Sequence, residues 1–166
     1  MFYLCPSTKR RIYNIKILIE ALNMKKVTAA IIIKDGLFLI AKRKKSDKLA
    51  NKWEFPGGKI ENGETAEECL KREIEEELRI NVRIGDFFGE SIYQYPQVTI
   101  QLLAYWAFWE GGLIELMAHD EYKWVSLSEL DYFDFAPADI PLVKKLKDVK
   151  MRNLTLVFSE EANALD

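Results

Sequence analysis

Glu73, Glu76 and Glu77 are the residues of this chain whose types and spacing most plainly invite chemistry. Each helical step turns by about 100°, so on a helix the three carboxylates fall within roughly 100° of one another. They flank an apolar stripe of Leu70, Ile74 and Leu78 at i, i+4 and i+8. Like charges three and four apart repel, and a helix built only for solubility would interleave lysines. Just upstream, Pro56-Gly57-Gly58 turns the chain and leaves its backbone bare. Clustered carboxylates beside free carbonyls make an oxygen-rich pocket suited to a hard divalent cation. Mg²⁺ in particular takes a few carboxylates, water and substrate phosphate oxygens. A charge run alone is usually a solvated face, and Glu75-Glu76-Glu77 in isolation would be read that way.

The elements that must hold these groups are legible on either side. Glu61-Asn62-Gly63 is a turn, and Thr65 with Glu68 three residues on forms a capping box. From Ala66 to Arg79 no Pro or Gly interrupts a run of strong helix formers. Val27 to Ile33 is a continuous β-branched run that predicts a strand buried on both faces. Lys34-Asp35-Gly36 turns a hairpin into a returning strand, Leu37 to Ala41. The basic run Lys42-Arg43-Lys44-Lys45 follows, expected as a phosphate-steering rim opposite the acidic helix. Strands are expected over Asn81–Tyr95, broken at Gly85 and Gly89, over Val98–Trp109 and over Tyr122–Val125. A last helix runs from Pro137 or Ala138 to Asp148, with Pro141 in its first turn. Strands around a central helix, with another helix after them, imply an α/β sandwich with a mixed sheet.

The 166 residues bound one domain with a full-sized core. With 24 basic and 26 acidic residues the net charge is −2, which carries no footprint for duplex nucleic acid. No apolar run approaches a membrane span. Cys5 and Cys69 have neither metal nor redox spacing, so a reducing cytoplasm is expected. Residues 1–23 are read as a dispensable extension ahead of a start-like Met24, residues 24–150 as the functional domain, and 151–166 as a tail with a small apolar segment at Leu154–Phe158.

The full spacing from Gly58 onward resembles the Nudix box, G-x5-E-x7-R-E-U-x-E-E-x-G-U with U aliphatic. It matches at Gly58, Glu64, Arg72, Glu73, Ile74, Glu76, Glu77 and Ile80. The six fixed letters coincide by chance at roughly 10⁻⁷ per starting position, so the spacing and not the acidity carries the signal. One letter departs: the family's last Gly is Arg79, which must enter the left-handed region or end the helix differently. The resemblance implies the Nudix α/β/α sandwich and hydrolysis of nucleoside diphosphate derivatives with Mg²⁺ or Mn²⁺. It implies a metal site at Gly57, Glu73, Glu76 and Glu77, and a catalytic set of Glu73, Arg72 and Glu76. Within that set Glu73 takes the proton and Arg72 holds the glutamates by ion pairs, while Glu64 supports the loop.

The flanks ANKWEFPGGKIENGE and FAPADIP look like the MutT branch and its CTP pyrophosphohydrolase look-alikes. On that analogy Arg43 reaches the phosphates, Phe55 packs beside the base and Asp139 reads it. A carboxylate only accepts, so cytosine or guanine and 8-oxoguanine, with their N–H donors, are the expected bases. The alternative for Asp139 is a first-turn acid of the last helix. Phe133 or Phe135 is expected to wall the base slot, and Trp53, Trp106 and Trp109 to be mainly core. Chains of this branch often carry a metal-binding acid six residues before a Trp. Here that position is Ala118, and Glu115, Asp120 or Glu121 are candidate substitutes. A nucleoside triphosphate pyrophosphohydrolase, acting as monomer or homodimer, is the expected function. A nucleotide-binding sensor with little turnover is the alternative, motivated by Ala118 and Arg79.

Overall fold

β1 (Met24–Lys34) is the strand against which the rest is laid. Its side chains alternate between two cores: Ala29, Ile31 and Ile33 enter one, Ala30 and Ile32 the other. The apolar run is therefore continuous because both faces are covered. A computed structural model describes residues 24–149. The readings for residues 1–23 and 151–166, and for Cys5, lie outside the described residues.

β1 turns through Asp35-Gly36 into β2 (Leu37–Arg43), and β3 is the short piece Trp53–Glu54. After α1 (Ala66–Leu78) come β4 (Ile80–Gln94), β5 (Thr99–Gly112) and β6 (His119–Val125). A 3₁₀ turn at Leu127–Tyr132 and α2 (Ile140–Asp148) complete the described chain. The strands form one six-stranded sheet in the order β3-β2-β1-β5-β4, with β6 paired to β2. β1 and β5 run parallel from Met24↔Thr99 to Ile33↔Phe108, and the other pairings are antiparallel. On one face Leu70, Ile74 and Leu78 of α1 pack over Ala30, Ile32, Leu39 and Ala107. On the other, Leu142, Val143 and Leu146 of α2 join Ala29, Ile31, Phe55, Phe88 and Phe135. The layers are α/β/α with a mixed sheet, as the sequence implies.

Where the structure departs from sequence expectation, long-range pairing is the reason. β6 begins at His119 rather than Tyr122, because β2 continues to Arg43 and supplies a partner. Gly85 and Gly89 do not break β4. Register shifts absorb them between Ile84 and Phe87 and between Phe87 and Gly89. α2 starts only at Ile140, since Ala136–Asp139 is taken up by a turn closed by Asp139 N–H donating to Ala136 O. No helix among the described residues is long and apolar enough to cross a membrane.

The glycine turn is stitched onto β1: Thr28 N–H donates to Gly58 O at 2.8 Å and Ala30 N–H to Pro56 O at 2.7 Å. α1 then starts at a complete capping box. Glu68 N–H donates to Thr65 Oγ1 at 3.2 Å, and Thr65 N–H to Glu68 Oε2 at 2.8 Å. At the other end Arg79 sits at φ 59, ψ 30 and donates its N–H to Glu75 O. It has entered the left-handed region, which penalises a residue with a Cβ. Arg79→Gly should therefore raise stability by about 1 kcal/mol, relief of backbone strain outweighing the extra freedom of the unfolded chain. Urea unfolding should show the midpoint rise with no change in slope.

Candidate active site

The residues of α1 and the glycine turn are assembled around Arg72. Its Nε and Nη2 donate to the two oxygens of Glu64 at 2.7 and 3.0 Å, a two-pronged ion pair. Nη1 donates to Glu73 at 2.9 Å and to Glu76 at 3.3 Å. Hydrogen bonds from Arg72 hold the Glu64 carboxyl far down, at about 2. Arg72 thus ties the loop ahead of the helix to the carboxylates on it.

The two glycines serve different ends. A Cβ on Gly57 would overlap the backbone of Thr28, and one on Gly58 would overlap the Glu73 carboxylate. Gly57→Ala should cost about 1–3 kcal/mol of stability, because a neighbouring strand cannot give way. Gly58→Ala presses only on the far end of a flexible side chain, so it should keep most of its stability while displacing Glu73. Melting curves run beside rates should separate the two. Among the described residues no hydrogen bond uses the Gly57 carbonyl, whereas those of Pro56 and Gly58 are both taken by β1.

A cavity of about 700 Å³ opens beside this assembly. Glu77 lines it, with Gly57, Gly58 and Lys59; Glu73 and Glu76 do not. The expected convergence of three carboxylates is thus divided, with Glu73 and Glu76 turned to Arg72 and Glu77 to the cavity. Consistent with that division, no three His, Cys, Asp or Glu side chains among the described residues are placed to hold a metal ion by themselves. The donors nonetheless suit a divalent cation. Glu77 Oε2 is buried with no hydrogen-bond partner, and burial pushes the Glu77 carboxyl up to about 7. A buried, unpartnered carboxylate oxygen is the group a cation most relieves. One or two carboxylates completed by phosphate oxygens is also a normal way to hold Mg²⁺.

Asp139, 4% exposed, also lines the cavity. It occupies the N-cap position of α2, but its side chain caps nothing there. Instead Oδ1 accepts the N–H of Phe55 at 3.0 Å. Burial, reinforced by the charge of Glu54, raises its carboxyl well above the ordinary range. Val27, Tyr95, Val98, Ile100, Ala136 and Ala138 give the cavity an apolar wall.

Several placements differ from sequence expectation. The basic run does not form a rim as a unit. Arg43 reaches the cavity, but strand alternation sends Lys42 elsewhere, to Glu121 at 3.6 Å, and Lys44 Nζ donates to Met117 O. Lys48 and Lys59 supply the remaining positive charge at the cavity. Phe55 touches the cavity but is 3% exposed and packed on Phe135, which is itself core and does not line it. Phe133 stacks edge-on against Trp53. The slot walls come from the β4–β5 hairpin instead. Trp53, Trp106 and Trp109 pack on other aromatics and none lines the cavity. Ala118 does line it, but none of the three candidate substitutes does: Asp120 accepts from Lys45 N–H, Glu121 pairs with Lys42 and Lys123, and Glu115 is exposed.

Sequence reasoning missed Glu54 and His119. Glu54 bonds Arg43 at 2.5 Å with one oxygen and His119 Nε2 at 2.9 Å with the other. The signal available was the chain's single histidine beside the vacant acid position.

The family model described as NUDIX domain matches residues 24–146. The chain belongs to the Nudix family. Among characterised relatives, this Nudix hydrolase is 35% identical to the CTP pyrophosphohydrolase of Escherichia coli K12 over 123 residues, 74% of this chain and 91% of that protein. It is 37% identical to the 8-oxo-dGTP diphosphatase of the same organism over 129 residues, 75% of this chain and 98% of that protein. The crystal structure of a MutT protein from Methanosarcina mazei Go1 superposes with a TM-score of 0.69 at 25% identity, covering 78% of this chain and 95% of that one. Nudix hydrolases generally need a divalent metal, in keeping with the donor set around Glu77.

Proposed function

We propose that this Nudix hydrolase cleaves nucleoside triphosphates to nucleoside monophosphate and pyrophosphate, with preference for cytosine or oxidised guanine bases. The observation that carries the reading is the polarity of one cavity. Glu77 of α1, the glycine turn, Arg43 and the buried carboxyl of Asp139 all line it, together with an apolar wall. Such a slot takes a phosphate chain on its charged groups and a flat base against its apolar wall. The names of the two E. coli relatives fit the same assignment.

Glu73, Glu76, Glu77 and the Gly57 carbonyl would hold a divalent cation, Mg²⁺ or Mn²⁺. When bound it neutralises phosphate charge and acidifies water. The chain's own groups do the rest. Arg43 and Lys48 draw the phosphates in, and Arg72 fixes the carboxylates relative to the loop. Asp139 orients the base by hydrogen bonding at its edge. For the proton of the attacking water, the family resemblance favours Glu73. The cavity favours Glu77, which lines it. Comparing Glu73→Gln with Glu77→Gln in a pH–rate profile decides between them: the true base carries away the acid limb when it is removed.

The test of the whole reading is pyrophosphate release across a panel of nucleoside triphosphates with Mg²⁺. Turnover of cytosine or 8-oxoguanine nucleotides above the others is the expected result. Tight nucleotide binding without release would instead support a sensor.

A further inference from the structure

Arg43 is held by two carboxylates at once. Nη1 donates to Glu54 Oε2 and Nη2 to Asp47 Oδ2, each at 2.5 Å. The two are unequal in their surroundings. The Glu54 side chain is 16% exposed, and its second oxygen accepts from His119 Nε2, a nitrogen that must carry its proton to meet a carboxylate. His119 is buried and lies opposite Arg43 in the β2–β6 ladder. Asp47 is 35% exposed, on the loop after β2, and beyond Arg43 accepts a long contact of 3.5 Å from Leu49 N–H. Detaching Asp47 releases a carboxylate into water. Detaching Glu54 leaves a buried carboxylate and a buried imidazole unpaired, which costs far more.

Three of the four buried side-chain atoms without partners among the described residues belong to this corner: Arg43 Nε, Glu77 Oε2 and His119 Nδ1. All three residues line the cavity. Unpaired polar atoms gathered on one wall mark a place where a polar ligand completes the bonding.

We infer that Glu54 and His119 form a brace that fixes the Arg43 guanidinium at the cavity wall, and that Asp47 is a built-in stand-in for a substrate phosphate, displaced when the phosphate binds. The inference rests on the reading of Arg43 as a phosphate contact. Its consequence is that two carboxylates on one guanidinium act with opposite sign. Asp47 competes with the phosphate for Arg43, and Glu54 presents Arg43 to it. Glu54 and His119 are positioning residues; neither touches the reacting atoms.

The experiment is calorimetric titration of the full chain with inorganic triphosphate in the presence of Mg²⁺, with a melting curve for each variant. Asp47→Asn should tighten binding by about 2- to 5-fold, the worth of an exposed ion pair. Glu54→Gln and His119→Ala should weaken it by about 10-fold, and His119→Gln, whose amide can donate to Glu54, should recover most of that loss. The gain from Asp47→Asn should vanish in an Arg43→Gln background, as a double-mutant cycle requires if Asp47 acts through Arg43. If Arg43→Gln alone leaves triphosphate affinity unchanged, the phosphate reading of Arg43 falls and the inference with it. If Arg43→Gln weakens binding but Asp47→Asn does not tighten it, the reading stands and the inference is overturned. A gain that survives without Arg43 overturns the inference equally, since the effect is then bulk electrostatics. Asp47 is exposed, so its variant folds whatever Glu54→Gln does, and its two arms decide the question by themselves.

Discussion

Glu77→Gln should cut kcat by on the order of 10²-fold or more, the usual scale of a lost metal or electrostatic contribution. The substitution keeps the shape of the side chain and removes its charge. Burial penalises the charged form of Glu77 and holds its carboxyl at about 7, above the value an unfolded chain would give it. The folded state therefore binds the proton more tightly, and the stability this confers is lost as pH rises through about 7. Above that pH, in EDTA, the glutamine variant should melt no earlier than the parent chain. A collapse of kcat beside an unchanged or higher melting temperature would assign the loss to chemistry. Glu76→Gln should act in the same direction, although Glu76 reaches the cavity only by leaving Arg72, 3.3 Å away. Mn²⁺ binding followed by electron paramagnetic resonance should weaken in both. Undiminished turnover in both variants would remove the proposed site.

Asp139→Ala should lower kcat/KM for the preferred base by about 5- to 150-fold, the range for leaving a buried polar group without its partner. Poor substrates should change little. The same substitution strands the Phe55 N–H that Asp139 accepts, so the melting temperature falls as well. The diagnostic is accordingly the difference between bases and not the loss itself. The raised carboxyl adds a pH signature. While protonated, Asp139 can donate as well as accept. As pH rises through its folded value it becomes acceptor-only, and selectivity should sharpen toward base edges that present N–H groups. Asp139→Asn, which both donates and accepts at every pH, should relax the choice and abolish that pH dependence. An equal fall for all bases would make the residue a structural tie between α2 and Phe55, with base selection lying elsewhere.

The parts of the site legible in the sequence are those written in local periodicity. α1 and its capping box follow from a 3.6-residue repeat and its start signal, and the burial of β1 on both faces follows from an unbroken β-branched run. Asp139 is legible as a motif, but its partner is not. The bond to Phe55 spans a separation that no local pattern encodes. Glu54 and His119 meet only through the β2–β3 and β2–β6 pairings, with a register irregularity between Lys42 and Arg43. The basic run misleads because β2 ends within it. Four adjacent cations look like one patch in a sequence, but on a strand and the loop after it they face different ways. The hairpin residues Tyr95–Val98 carry no chemical signature at all and enter the cavity because β4 and β5 are long.

The bonds from Thr28 and Ala30 to the glycine turn have a consequence for motion. Those amides sit in the middle of the central strand, between two cores, and should exchange with deuterium only when the whole molecule opens. The turn they grip cannot fray ahead of the fold. In enzymes whose binding loops open locally, a damaged site can be lost while the body stays folded. Here the glycine turn at the cavity and global unfolding should share one opening free energy. A destabilising change anywhere in either core should then quicken exchange at Thr28 and Ala30 in step with the loss of overall stability.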